Sequence, residues 1–482
     1  MDTFPSRNPA RPDDVVGTYP VHGPEAVDAA VARAAEAQRS WARLPIPARA
    51  DVIAAAGAVL ARDKGALTEL VSREAGKVLV EAGGDVQEAV DMAAYVAGQG
   101  RGPWGQTVPS ELGAKLCWTT RQPVGVVGLI TPWNFPVAIP SWKIFPALLA
   151  GNGVVMKPSE HAPACAEAFV AACVEAGVPE GLVQVVHGYA EPARALSTHP
   201  GVRAVSFTGS VATGRAVAAA AMAEGPRLVS LELGGKNAMI VRSDADLDLV
   251  VDGAIFGAFG TSGQRCTSTS RLIVHPDVAT ELVDRIVTRA GELTLGDPLV
   301  AGTDVGPVIT ADSAERILGM VRTATSEGAE LACGGEAVVV DDCPGGAFVA
   351  PTVLTGVKPE TTIARQEAFG PVLAVLEVAG LDEAIDVVNS VEYGLSAAVY
   401  TSDINAALHA VDRIDTGIVY VNAPTIGAEI PLPFGGTKHT GNGFREAGAR
   451  GIEQFSEVKT VYVDYSGRLQ RAQIDTPGRE AQ

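Results

Sequence analysis

The stretch Gly263-Gln264-Arg265-Cys266-Thr267-Ser268-Thr269-Ser270-Arg271 holds the one cysteine of this chain whose neighbours suit chemistry. Free cysteine usually packs as a small hydrophobe. Cys165 and Cys173, inside the apolar run from Ala164 to Ala176, fit that description. Cys266 is flanked instead by Gly, Gln, Arg, Thr and Ser, and a nearby cation with polar groups favours the nucleophilic thiolate. Upstream, Leu231-Glu232-Leu233-Gly234-Gly235-Lys236 sets a carboxylate beside two flexible glycines. A thiol and a carboxylate so placed point to covalent catalysis followed by activation of water. The competing readings are a packed cysteine and, for Glu232, a helix cap or ion-pair partner.

Four more segments carry polar groups at strand ends or turns. Asn134, in the rigid turn Thr131-Pro132-Trp133-Asn134-Phe135-Pro136, is either an amide donor to a developing oxyanion or ordinary turn chemistry. Phe207-Thr208-Gly209-Ser210 is either a one-phosphate site at a helix start or a simple N-cap. In Met156-Lys157-Pro158-Ser159-Glu160, Lys157 and Glu160 either meet a ribose and phosphate or form a solvated pair. Gln366-Glu367-Ala368-Phe369-Gly370-Pro371 offers a further carboxylate in a turn, with ion pairing as its alternative. The G-x-G-x-x-G fingerprint is missing, since Gly151-Asn152-Gly153 leads into Val154-Val155-Met156. Gly209 to Ala216 has P-loop glycine spacing but Arg215-Ala216 in place of Lys-Ser/Thr, which argues against a triphosphate site.

These segments need a scaffold, and the hydrophobic pattern supplies one. Residues 24–98 read as helices, with Val27, Ala30, Val31 and Ala34, then Val52, Ala55, Ala56 and Leu60, at helical spacing. From Val124 to Leu233 short apolar strands alternate with helices, which predicts a parallel sheet covered on both faces. A second alternating region runs from about Ala254 to Pro433. Residues 115–121 and Glu457 to Asp464 alternate like exposed strands that pair with one another.

At 482 residues, two or three domains are expected. With 37 Lys and Arg against 56 Asp and Glu, the net charge of −19 disfavours nucleic acid or anionic lipid as partners. Six irregularly spaced cysteines without a C-x-x-C pair suggest neither a disulfide framework nor a thiolate zinc site. The first residues show no basic region followed by an apolar run, so no signal peptide is expected. The uncharged window Gln122 to Trp142 contains four prolines that would break a membrane span. A cytoplasmic protein is expected.

In order along the chain, TPWNFP (131–136), MKPSE (156–160), FTGS (207–210), LELGGK (231–236), GQRC (263–266), EAFGPV (367–372) and PFGG (433–436) resemble the aldehyde dehydrogenase superfamily. The likeness spans about residues 20 to 465. It implies an α/β fold with a Rossmann-like cofactor domain (1–104 and 124–233) and an α/β catalytic domain (234–433). A small β bridging or oligomerisation element (105–123 and 434–482) completes it and implies a homodimer or homotetramer.

The resemblance implies NAD(P)-dependent oxidation of an aldehyde to the acid. Cys266 would be the nucleophile, Asn134 with the Cys266 N–H the oxyanion donors, and Glu232 the hydrolytic base. Lys143 and Glu446 match positions linked to proton relay, although Gly441-Asn442-Gly443-Phe444-Arg445-Glu446 carries one residue more than the commoner G-x-G-R-E form. Ile130, Thr131, Trp133, Lys157, Ser159, Glu160, Gly209, Ser210, Leu233, Gly234, Glu367 and Phe369 match the cofactor cleft. A carboxylate at Glu160 should repel a 2′-phosphate, which favours NAD over NADP. Phe434 and the loop 423–433 are expected to shape the substrate pocket. Gly427-Ala428-Glu429 and Lys438-His439-Thr440-Gly441 are similar to semialdehyde-oxidising branches. The rivals are a CoA-acylating enzyme, against which Glu232 argues, and a non-catalytic paralogue, which would tolerate loss of Cys266, Asn134 or Glu232. A zinc alcohol dehydrogenase lacks its metal ligands here.

Overall fold

The computed structural model describes residues 2–223 and 225–475. Val126–Thr131 and Gly153–Pro158 are buried at every position, the pattern of parallel strands covered on both faces. Five parallel strands lie in the order Val183–Val185, Gly153–Pro158, Val126–Thr131, Val202–Gly209, Leu228–Leu233. One face packs on Ile53, Val86, Met92, Phe145 and Phe169 from helices Ile46–Arg62, Leu79–Gln99, Ala138–Ala150 and Pro163–Glu175. The other packs on Val27, Val31, Leu196 and Val217 from helices Pro24–Trp41, Ala190–Thr198 and Val211–Ala223.

The strand order positions the polar turns. From Val126–Thr131 the chain steps outward to Gly153–Pro158 and Val183–Val185, then returns to the opposite side with Val202–Gly209. Such a reversal opens a crevice beyond the carboxyl ends of the strands, where ligands of open parallel sheets sit. Thr131, Gly209 and Leu233 end three neighbouring strands, so the turns that follow converge there.

A seven-stranded sheet follows, in the order Glu330–Cys333, Thr352–Thr355, Val372–Glu377, Arg271–Val274, Ala238–Val241, Ser396–Tyr400, Ile418–Val421. Its pairings are parallel except the first. A three-stranded antiparallel sheet joins Ser456–Asp464, Lys115–Pro123 and Thr107–Val108, with Ser456 opposite Pro123 and Asp464 opposite Lys115. The mixed α/β class with parallel sheets is as expected. The window Gln122–Trp142 resolves into strand, loop and helix start, and no helix among the described residues is long and apolar enough to cross a membrane.

One element was not expected. Thr3–Asn8 pairs antiparallel with Arg11–Pro20. Pro5, Pro9, Pro12 and Pro20 interrupt its alternation, which hides a hairpin in the sequence. The hairpin touches both large sheets' surroundings: Ser6 Oγ donates to Glu74 at 2.6 Å, while Arg11 meets Asp297 at 2.6 Å.

Candidate active site

A cavity of about 560 Å³ lies at the crevice and is lined by Trp133, Asn134, Gly209, Ser210, Glu232, Leu233, Gly234, Cys266, Glu367, Phe369, Phe434 and Glu446, among others. Twelve of the residues singled out in the sequence thus line one cavity. Ile130, Thr131, Lys157, Ser159 and Glu160 lie at the ends of adjacent strands, outside that lining. Lys143 sits behind it on the helix Ala138–Ala150.

Helix Leu247–Phe259 runs into a tight turn in which Thr261, Ser262 and Gly263 all have positive φ. A side chain at Gly263 (φ +68°) would also strike the backbone carbonyl of Gly370, so the turn needs glycine there. Half-buried Cys266 follows. Its carbonyl accepts from Asn237 Nδ2 at 2.8 Å, and the Thr267 carbonyl accepts from Thr425 Oγ1 at 2.7 Å. The Cys266 N–H donates to no acceptor among the described residues, which leaves it available to a ligand.

The cation beside Cys266 in sequence does not serve the thiol. Arg265 turns away to Glu81 at 3.0 Å and to Thr261 Oγ1 at 2.8 Å. Burial pushes the thiol well up, and the charges of Glu367 and Glu232 push it further. The sequence-based expectation of an Arg-stabilised thiolate is therefore corrected.

Buried Asn134 donates from Nδ2 to the Gln264 carbonyl at 3.0 Å, while its own carbonyl accepts from Lys77 Nζ at 3.1 Å. An amide nitrogen has two hydrogens, so one remains for a ligand.

Glu232, 3% exposed, has no hydrogen-bond partner on either oxygen among the described residues. Lys143 pairs with Glu446 and donates to Ser206 Oγ at 2.7 Å. The lysine's charge is thus already matched. Burial, then the charge of Glu446, raises the Glu232 carboxyl well above its ordinary value, with Lys143 and Arg445 opposing. Phe434 and Glu446 exchange backbone hydrogen bonds at 2.7 and 2.8 Å, which fixes the register left open by Phe444. Phe434 also meets Trp142 edge-on at 5.0 Å.

In the same cavity, Gly235 N–H donates to Glu367 at 3.1 Å. A side chain at Gly234 would collide with that carboxylate. Burial pushes Glu367 up to about 7, against the Gly235 amide, Lys236 and Arg316. Trp133 meets Phe369 edge-on at 5.7 Å. Ser210 Oγ accepts from Thr213 N–H at 3.3 Å, so it caps the helix Val211–Ala223. Lys157 pairs with Glu160 at 3.2 Å, and burial lowers the lysine. Burial would raise Glu160, but Lys157, its own amide and His161 hold it below its ordinary value. Thr131 Oγ1 and Thr208 Oγ1, near the strand ends, are buried without hydrogen-bond partners among the described residues.

Sequence reading missed Glu88, Ile139, Trp142 and Arg316 on the cavity wall and Lys77 behind it, whereas Ile426 belongs to the loop 423–433 expected to shape the pocket. Gln264 lay inside a quoted motif without a role; the others lie in segments with no local signature.

The sequence profile described as "Aldehyde dehydrogenase family" matches residues 1–461. An alpha-ketoglutarate semialdehyde dehydrogenase of Haloferax volcanii is 40% identical over 471 residues, 96% of this chain and 96% of that one. An alpha-ketoglutaric semialdehyde dehydrogenase of Bacillus subtilis is 38% identical over 464 residues, 96% and 95% of the two chains. The crystal structure of a betaine aldehyde dehydrogenase from Staphylococcus aureus in complex with NAD+ superposes with a TM-score of 0.94 at 32% identity, covering 97% and 93% of the two chains.

Proposed function

The chain belongs to the aldehyde dehydrogenase family, and on that premise we propose that it oxidises a semialdehyde to the carboxylic acid with NAD as hydride acceptor. The observation that carries this reading is one cavity lined by Cys266, Asn134 and Glu232 together with Ser210 and Glu367.

Cys266 loses its thiol proton to solvent and its Sγ adds to the aldehyde carbon, while the Asn134 amide with the Cys266 N–H holds the oxyanion. Bound NAD supplies the hydride acceptor that turns this adduct into a thioester. Glu232 then takes a proton from water as the water attacks the thioester, and the acid and the Cys266 thiolate are released. Its burial without a hydrogen-bond partner among the described residues makes it a strong base for that step. Lys143 and Glu446 relay the proton onward from Glu232.

The unpartnered Thr131 and Thr208 hydroxyls and the Ser210 turn suit the dinucleotide's phosphates, Lys157 and Glu160 the adenosine ribose, and Glu367 the nicotinamide ribose. The five-stranded unit is the cofactor domain, the seven-stranded unit the catalytic domain, and the three-stranded sheet the bridging element. Exposed Leu116, Val458 and Tyr462 on that small sheet are covered by a second copy in a homo-oligomer. Six free cysteines suit a reducing compartment, the cytoplasm.

NADH formation across a panel that includes α-ketoglutaric semialdehyde and betaine aldehyde tests the reading. Semialdehyde preference with free acid as product is expected. Acyl-CoA as the product when CoA is added, or better turnover with NADP, would overturn the respective assignment.

A further inference from the structure

An ion pair that takes no part in the chemistry lies behind the oxyanion donor. Lys77 and Asp85 are each 1% exposed. Lys77 Nζ donates to Asp85 Oδ2 at 3.0 Å and to the Asn134 carbonyl at 3.1 Å, and rests 3.6 Å from the Phe135 ring centroid. The second Asp85 oxygen accepts from the Ala138 N–H at 2.7 Å, the first residue of the helix that carries Lys143. One pair therefore grips both ends of the turn from Asn134 to Ala138.

The Asn134 side chain is held separately. Its Nδ2 donates to the Gln264 carbonyl, and Gln264 Oε1 accepts from the Ile309 N–H at 2.9 Å. The amide is thus bracketed between the helical layer and the Cys266 turn. Taking two charges out of water offsets most of what their attraction returns, so stability is a poor account of this pair. Fixed geometry is a better one, because an oxyanion donor works only from a narrowly defined position.

We propose that Lys77 and Asp85 are positioning residues for the Asn134 amide, acting on the rate of thiol addition and not on the binding of aldehyde or cofactor. The proposal rests on the reading of Asn134 as the oxyanion donor.

Lys77→Met and Asp85→Asn are each made alone and combined with Asn134→Ala, with folding checked by circular dichroism and thermal melting. Single-turnover NADH formation from α-ketoglutaric semialdehyde, KM and the Kd for NAD are then measured. With Asn134 present, each substitution lowers the single-turnover rate about 10- to 100-fold, while KM and Kd move less than about threefold. In the Asn134→Ala background the same substitution costs less than about threefold, because the group it positions is gone.

Equal fold-losses in both backgrounds, or a loss confined to KM, overturn the positioning role. Should Lys77→Met fail to fold, Asp85→Asn, which keeps an acceptor for Ala138, carries the same cycle with the same two outcomes. An undiminished rate in Asn134→Ala alone overturns the oxyanion reading itself, and shows it without touching Lys77 or Asp85.

Discussion

Lys143 pairs with Glu446 and leaves Glu232, the other carboxyl group in the same buried space, without a hydrogen-bond partner among the described residues. The lysine bonds Ser206 as well, so two of its three donors are committed. Burial and the Glu446 charge then raise the Glu232 carboxyl well above its ordinary value, against Lys143 and Arg445.

Glu232→Gln should separate the two halves of the reaction. A burst of about one NADH per site is expected, followed by turnover slower by roughly 10²–10⁴-fold, with the acyl enzyme visible by mass spectrometry. Undiminished steady-state turnover would show that another group activates water.

The same substitution has a stability signature whose sign follows from burial. The folded carboxyl keeps its proton above the ordinary value of 4.5, where the unfolded chain releases it. Its contribution is therefore full below pH 4.5 and is lost as pH rises toward the folded value. Relative to wild type, Glu232→Gln should melt higher at alkaline pH than at acid pH. A pH-independent difference would contradict the elevated carboxyl.

Cys266→Ala should abolish aldehyde oxidation while NAD still binds. In the ligand-free enzyme the thiol is pushed up by burial and by Glu367 and Glu232. Alkylation by iodoacetamide should then accelerate about tenfold per pH unit from about pH 6 to about pH 9. A plateau near neutral pH would reveal a thiolate partner absent from this geometry.

Lys143→Met leaves the buried Glu446 carboxylate alone, at a cost of roughly 3–5 kcal/mol. Adding Glu446→Gln should recover much of that loss, because the pair is 0% and 2% exposed and tightly coupled. Denaturant unfolding of the two single variants and the double variant measures it, and strict additivity would rule the coupling out.

Glu367 titrates at about 7, with burial as the main cause. As a ribose acceptor in its ionised form, it should tighten NAD as pH rises from about 6 to about 8. Glu367→Gln should flatten that dependence in a fluorescence titration of the cofactor.

The sheet carrying the crevice was legible because parallel strands buried on both faces read as unbroken apolar runs, Val126–Thr131 most plainly. The polar turns after those strands were legible as motifs, and the strand order explains why Asn134, Ser210 and Glu232 meet. Side-chain direction was not. Arg265 stands next to Cys266 in sequence, yet its guanidinium is claimed by Glu81, 184 positions away. Lys77 and Asp85 were silent for the same reason, since an ion pair eight residues apart acquires meaning only when Asn134 folds onto it. Glu446 could not be registered from spacing because antiparallel exchange with Phe434, not residue count, sets its place.

The Cys266 turn hangs from Asn237 and Thr425 of the seven-stranded unit but reaches Asn134 of the five-stranded unit through Gln264. Either sheet could regain its full complement of strands and helices while the nucleophile still lacked its amide partner. During renaturation, recovery of turnover should consequently trail recovery of the far-ultraviolet signal and keep time with the moment the two halves close upon each other.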